Sequence, residues 1–275
     1  MAMQFFEGWF IIVPASYCFS SIKNNLPPLS QINTLFPTFA PMEHPLDNPA
    51  WNALISGNSD LAFGTDHVKY FDQEVSPYIG LDKTSPENFQ LLSEVLPYNS
   101  ASLFLTISET EIPPPWKLLR IVPGIQMVYD KPESLERSAV NIIPLTNAHV
   151  PQMMALTTLT NPGPFAPGTI EFGHYYGIFA DDQLVAMCGE RLHPFDYIEV
   201  SAVCTHPDHT GKGYSRQLLN NQVNRIRSAG ARPFLHVRAS NERAIKVYES
   251  VGFTKRTDVW FYIVVKDKTA ADPAY

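Results

Sequence analysis

Two glycines separated by one residue, Gly211 and Gly213, stand before an apolar helical run in "CTHPDHTGKGYSRQLLNNQV", residues 204–223. A strand ends near Thr205 and a helix begins near Tyr214, so the turn between them presents the unpaired N–H groups of a helix start. Those groups and the helix dipole attract anions. The glycines carry no side chain to hold a phosphate away, and they reach backbone angles closed to other residues. The chemistry implied is a diphosphate gripped by amides from about Gly211 to Ser215. The dinucleotide fingerprint G-x-G-x-x-G fails, because Arg216 stands where its third glycine belongs. The Walker pattern fails too: one residue separates the glycines, and Lys212 lies between them rather than after the second. A glycine-rich turn that holds no ligand is the competing reading.

Other groups suit proton transfer. Strand alternation puts Glu199, Ser201, Val203 and Thr205 on one face, and His236 lies on a neighbouring strand. Glu171 and Glu190 are candidates to hold a substrate ammonium, or plain solvated carboxylates. Cys204 lies in an apolar strand with no activating neighbour in sequence, and such a thiol behaves as a small hydrophobe. Asn241 is placed to cap a helix. Cys18, Cys188 and Cys204 are scattered, which argues against a disulfide framework or a metal site and for a reducing, cytoplasmic setting.

These residues need elements to position them. From Ser138 the order reads β-α-β-β-β-α-β-α-β. "AVNIIPL" is a strand, "TNAHVPQMMALTTLT" a helix, and "GHYYGIFA" with "QLVAMCGERL" a hairpin turned at Asp181–Asp182. "DYIEVSAVCT" follows as a strand. Leu219, Val223 and Ile226 recur at helical spacing, and Gly230 stops that helix. "RPFLHVRA", "NERAIKVYESVG" and "DVWFYIVVK" complete the series as strand, helix and strand. The fold class is α/β (α+β), a mixed sheet with helices on its faces. Upstream, a smaller α/β region contains a short helix at "NPAWNALIS" and a better one at "SPENFQLLSEVL". The latter has Ser85 as N-cap, Pro86 at its first position and a stripe of Leu91, Leu92, Val95 and Leu96. "SASLFLTIS" alternates as a strand, and "KLLRIVPGIQMVYD" reads as another strand and a turn. The polar, proline-broken "YDKPESLERS" marks the domain boundary. The expected division is an N-terminal extension (1–41), an N-terminal α/β region (42–137), the main domain (138–268) and a tail (269–275).

The extension is apolar but lacks a positive leader region and a clean cleavage site, so it does not read as a secretory signal. Its apolar run is too short and interrupted to span a membrane. Met42 opens "MEHPLDNPAWNAL", which reads like a protein start. Apolar residues make up 45% of the 275, enough for a core, and the net charge of −7 argues against nucleic acid as a partner.

Downstream of the glycine turn, "SNERAIKVYESVGF" spaces Asn241, Ala244, Tyr248, Gly252 and Phe253 three, four, four and one apart. Behind a "GKG" loop and a strand, this resembles the GNAT superfamily of acetyl-CoA-dependent N-acyltransferases over about Ser138–Lys266. "LVAMCGERL" and "EVSAVCTHPDHTGKGYSRQLL" look most like its glycine N-acyltransferase-like branch, in which the N-terminal half is a possible degenerate copy of the same fold. The resemblance implies a sheet splayed between Tyr197–Thr205 and Pro233–Ala239, with acetyl-CoA or another short acyl-CoA in the gap and no metal. Backbone groups near Val203, Cys204 and Thr205 would hold the pantetheine arm. Thr210, Gly211, Lys212, Gly213, Tyr214 and Ser215 would form the loop, and Asn241 would contact the arm. Tyr248 would be the general acid; Glu199, six residues before Thr205 where related enzymes place a base or its water chain, would be the first candidate base, with Ser201 beside it and His236 second. Two positions depart from the family loop: Thr210 stands for an Arg or Gln, and Ser215 for a final Gly or Ala. The expected activity is direct transfer of an acetyl group to a small primary amine by a monomer or homodimer. A non-catalytic acyl-CoA-binding or sensing module is the alternative.

Overall fold

A computed structural model describes residues 2–6, 9–13, 44–132, 135–136 and 138–267. Apart from two short strands, the expected extension lies outside the described residues, as does the tail. Two units are distinguished, Met1–Glu43 and His44–Tyr275. In the first, β1 (Ala2–Phe6) pairs antiparallel with β2 (Trp9–Val13).

The second unit is organised on one sheet. Its elements are α1 (Pro49–Leu54), β3 (Ala62–Gly64), β4 (Val68–Phe71), β5 (Tyr78–Leu81), α2 (Pro86–Val95), β6 (Ser102–Thr106) and β7 (Trp116–Val128). They continue with β8 (Ile143–Pro144), α3 (Val150–Thr160), β9 (Tyr176–Ala180), β10 (Gln183–Glu190) and β11 (Tyr197–Thr205). The last are α4 (Tyr214–Ser228), β12 (Arg232–Arg238), α5 (Glu242–Val251) and β13 (Thr254–Lys266). From β8 onward the types and order are those read from the sequence.

The eleven strands run β3-β4-β5-β6-β13-β7-β12-β11-β10-β9-β8. Two neighbours are parallel, β5 with β6 and β11 with β12. A parallel pair needs a crossover, and α2 and α4 supply one each. These two parallel joints lie symmetrically about the central pair β13 and β7. The strand β7, from the N-terminal half, is inserted between β12 and β13 and pairs antiparallel with both. The segment 129–138, where the sequence suggests a boundary, therefore links strands of a single sheet.

Local signals explain most elements. Ser85 Oγ accepts from Asn88 N at 3.3 Å, Pro86 occupies the first turn of α2, and Phe89 and Leu92 are its buried side. Leu218, Leu219, Val223 and Ile226 bury one face of α4, each contributing about 1.5–3 kcal/mol. The stretch "KLLRIVPGIQMVYD", read as a strand and a turn, is continuous strand as far as Val128: β7 runs straight through Pro123 and Gly124. Proline is tolerated there because β12 ends alongside it: Ala239 N donates to Pro123 O, beyond the last β12 pair, Arg238 with Gly124.

Candidate active site

The ladder between β11 and β12 holds only from Tyr197 opposite Arg232 to Glu199 opposite Phe234. Beyond that point β11 stays with β10 and β12 stays with β7, so the two strands part. The gap is a cleft of about 630 Å³. Of the sequence candidates, Val203, Cys204, Thr205, Thr210, Ser215, His236, Asn241 and Tyr248 line it. Gly211, Lys212, Gly213 and Tyr214 form the turn at its margin, while Glu199 and Ser201 are not part of the lining.

A bulge shapes the β11 wall. Met187 faces Cys204 but Gly189 faces Ser201, so β11 carries an extra residue there. Ala202 absorbs it at φ +52°, a left-handed conformation costing about 1–3 kcal/mol in a non-glycine residue. The single face expected for Glu199, Ser201, Val203 and Thr205 is broken at this residue. Cys204 buries its side chain among Leu184, Met187 and Met153, and burial pushes its thiol up to about 11 against the weaker pull of a Thr160 hydrogen bond.

The turn is built as a cradle. Gly211 and Gly213 have φ +81° and +76°, and a Cβ at either would meet nothing within 4 Å. Among the described residues, no acceptor is found for the amides of residues 211–216, and the first bond of the helix start is Gln217 N to Gly213 O. Side chains in the turn are held aside. Thr210 Oγ1 donates to Pro207 O at 2.9 Å, Lys212 Nζ lies 3.2 Å from His209 Nδ1, and Ser215 Oγ shares a 2.9 Å hydrogen bond with Thr205 Oγ1. Asn241 Oδ1 caps α5 by accepting from Ala244 N at 3.2 Å. Its Nδ2 has no partner among the described residues, so capping and cleft contact use different atoms.

Tyr248 is nearly buried on α5, yet it lines the cleft and its hydroxyl has no hydrogen-bond partner among the described residues. Burial raises its phenol well above the usual tyrosine range, so the group stays protonated.

Glu199 sits in a buried network. Burial alone would raise its carboxyl, but the Arg191 guanidinium and His236 beside it hold it well below the usual range. Arg191 Nε donates to Oε2 at 2.9 Å and Nη2 to Oε1 at 2.5 Å, and the Leu192 amide reaches Oε2 at 3.3 Å. His236 Nδ1 lies 2.7 Å from Oε1. Gln126 Oε1 accepts from Arg256 Nη1 at 2.8 Å, and Arg256 in turn pairs with Asp47. That turns Gln126 Nε2 toward Leu46 O at 2.9 Å and His236 Nε2 at 3.1 Å. An amide nitrogen only donates, so His236 Nε2 accepts and its Nδ1–H donates to Glu199. Glu199 is an engaged counter-ion here, and both imidazole nitrogens are committed.

Glu190 is not solvated as a sequence reading allows. It is fully buried on the α4 side, against Gln222 and Arg225. Glu171 is exposed. Sequence reasoning missed Arg191, which lines the cleft with Arg120, Arg238 and Arg243. Its only signal was an ionisable pair, "GERL", closing a buried strand. Among the described residues, no cluster of metal-ligand type is present, and no helix is long and apolar enough to cross a membrane.

Comparison with known proteins bears on this geometry. The family model described as FR47-like protein matches residues 175–261. The crystal structure of a protein described as a GNAT-family acetyltransferase, from Novosphingobium aromaticivorans, is 32% identical with a TM-score of 0.76. That match covers 82% of this chain and 99% of the other. The N-alpha-acetyltransferase RimI of Mycobacterium tuberculosis is 35% identical over 86 residues, 30% of this chain and 52% of that protein. The mycothiol acetyltransferase of Saccharopolyspora erythraea is 34% identical over 91 residues, 32% of this chain and 30% of that protein. The chain thus spans about half or less of these two curated relatives.

Proposed function

This chain belongs to the GNAT superfamily of N-acetyltransferases, and from that premise we propose that it moves an acetyl group from acetyl-CoA to a primary amine by direct attack in a ternary complex. The observation that carries the reading is the open amide cradle at 211–216, unpartnered among the described residues, beside a cleft that also receives the Tyr248 hydroxyl. The amides would hold the diphosphate. The edges of β11 and β12, left unpaired past Glu199 and Phe234, would hold the pantetheine arm by strand-like hydrogen bonds. Such alignment of reactants supplies up to ~7–11 kcal/mol of a barrier.

Tyr248 then donates its proton to the departing thiolate, since burial keeps the phenol protonated, and recovers one from solvent, to which the acylated nitrogen gives up its second proton. Cys204 does not serve as a nucleophile, because its thiol is protonated at neutral pH. Incubation with acetyl-CoA and no acceptor should leave no acetyl adduct by intact-mass measurement, and alkylation at Cys204 should rise only as pH nears 11. Glu199 and His236 act as positioning residues, because neither has a free lone pair aimed into the cleft. The acceptor's ammonium gives its proton to water, helped by the lining guanidinium groups, whose like charge lowers its proton affinity.

The symmetric placement of the two parallel joints supports reading the N-terminal half as a degenerate copy of the same fold, as in glycine N-acyltransferase-like proteins. A non-catalytic acyl-CoA sensor is the second reading. It is favoured by Thr210, whose hydroxyl is spent inside its own turn. Release of free CoA thiol in the presence of an amine panel separates the two. Gly213→Ala tests the cradle: it should weaken CoA binding by calorimetry about tenfold or more and cost about 1 kcal/mol in urea unfolding, since φ is +76° there. Unchanged affinity would place the diphosphate elsewhere.

A further inference from the structure

We infer that the acceptor is an amine bearing a carboxylate and an apolar body, an α-amino acid with a branched or aromatic side chain, and that Arg191 receives its carboxylate. The inference rests on the acyl-transfer reading above and narrows its substrate class.

The charge of the cleft comes first. The chain as a whole is acidic, at −7. Yet the cleft lining contains Arg120, Arg191, Arg238 and Arg243 and no Asp or Glu. Among the described residues, no salt bridge involves Arg120, Arg238 or Arg243. A site for polyamines or other polycations needs free carboxylates. Glu199, bound to the lining Arg191, is already neutralised by it and by the His236 N–H.

Arg191 is itself built as a receptor. Its side chain is 10% exposed. Nε and Nη2 are bound to Glu199, while Nη1 has no partner among the described residues. An added Cβ on Gly163, another lining residue, would lie 4.0 Å from Nη1, which places that nitrogen at the cleft wall. The guanidinium also lies over the Tyr78 ring, 4.9 Å from its centroid. Glu199 is in turn fixed through His236, Gln126, Arg256 and Asp47. A guanidinium held this rigidly gives up little conformational entropy on binding a carboxylate.

The floor beside it is apolar. In the sheet register, Tyr78 neighbours Leu103, Leu103 neighbours Ile263, and Ile263 neighbours Arg120. All four line the cleft, and Phe261 and Val122 extend the surface in the next register row. Glycine would leave this row uncovered.

Acetyl-CoA turnover of leucine, leucinamide, isoamylamine, glycine and putrescine, followed by CoA thiol release, tests the idea. Leucinamide keeps the body and lowers amine basicity, so it separates charge recognition from basicity. The expected kcat/KM for leucine exceeds that for leucinamide and isoamylamine by ~100-fold or more, and that for glycine by ~10-fold or more. In Arg191→Lys the leucine-to-leucinamide ratio should fall at least ~10-fold through KM, since lysine keeps the charge beside Glu199 and loses the fork. If that variant fails to fold, the wild-type ratios decide alone. Leucinamide, isoamylamine or putrescine turned over as well as leucine overturns the inference and leaves acyl transfer standing. An unchanged ratio in folded Arg191→Lys overturns the role of Arg191. No thiol release with any amine overturns the acyl-transfer reading and this inference together.

Discussion

Tyr248→Phe lowers kcat by about 10²–10³-fold while acetyl-CoA affinity and melting temperature stay close to wild type. The size follows from removing one positioned proton donor. The sparing of binding and fold follows from the structure: the hydroxyl has no protein partner among the described residues, and the ring keeps its buried place against Phe253. A leaving thiolate gains most from a proton, so the deficit should shrink when the acyl donor carries a more acidic thiol. Steady-state kinetics with acetyl-CoA and an activated thioester checks both points. A variant as fast as wild type would remove Tyr248 from the chemistry.

Glu199→Ala costs about 3–5 kcal/mol of stability, because it strands the Arg191 guanidinium and the His236 N–H in a buried site. Glu199→Gln is milder and isolates the charge. The native state holds this carboxyl below its ordinary value of 4.5. Its ionised form therefore stabilises the fold fully above about pH 4.5, and that contribution is lost as pH falls below it toward the depressed native value. The wild-type advantage over Glu199→Gln should be full near pH 7 and smaller near pH 3. Urea unfolding at both values checks the sign. An advantage independent of pH would mean that Glu199 is not held as a carboxylate.

The C-terminal elements were legible because their signals are local. Gly213 and Gly230 mark the ends of α4, Asn241 caps α5, and Leu219, Val223 and Ile226 keep helical period. The position of β7 was not legible, since partners more than a hundred residues away leave no trace in its periodicity. Pro123-Gly124 within it favours a turn locally, and only tertiary pairing supplies the ladder that overrides that preference. The Ala202 bulge was hidden for a related reason: an alanine at positive φ gives no compositional cue, and without it the alternation reads straight through. Glu199 was singled out, but the network that holds it was not. A strand carboxylate looks the same in sequence whether it faces water or an arginine eight residues earlier.

The exchange of final strands between the halves has a consequence for the order in which the molecule can be completed. β7 emerges from the ribosome more than a hundred residues before β12 and β13, the two strands that flank it. Until those arrive, a thirteen-residue strand with Leu118, Leu119 and Ile121 along it waits without partners. The upstream half therefore cannot close its sheet during synthesis, and its nascent form is the stage at which this chain most needs chaperone protection.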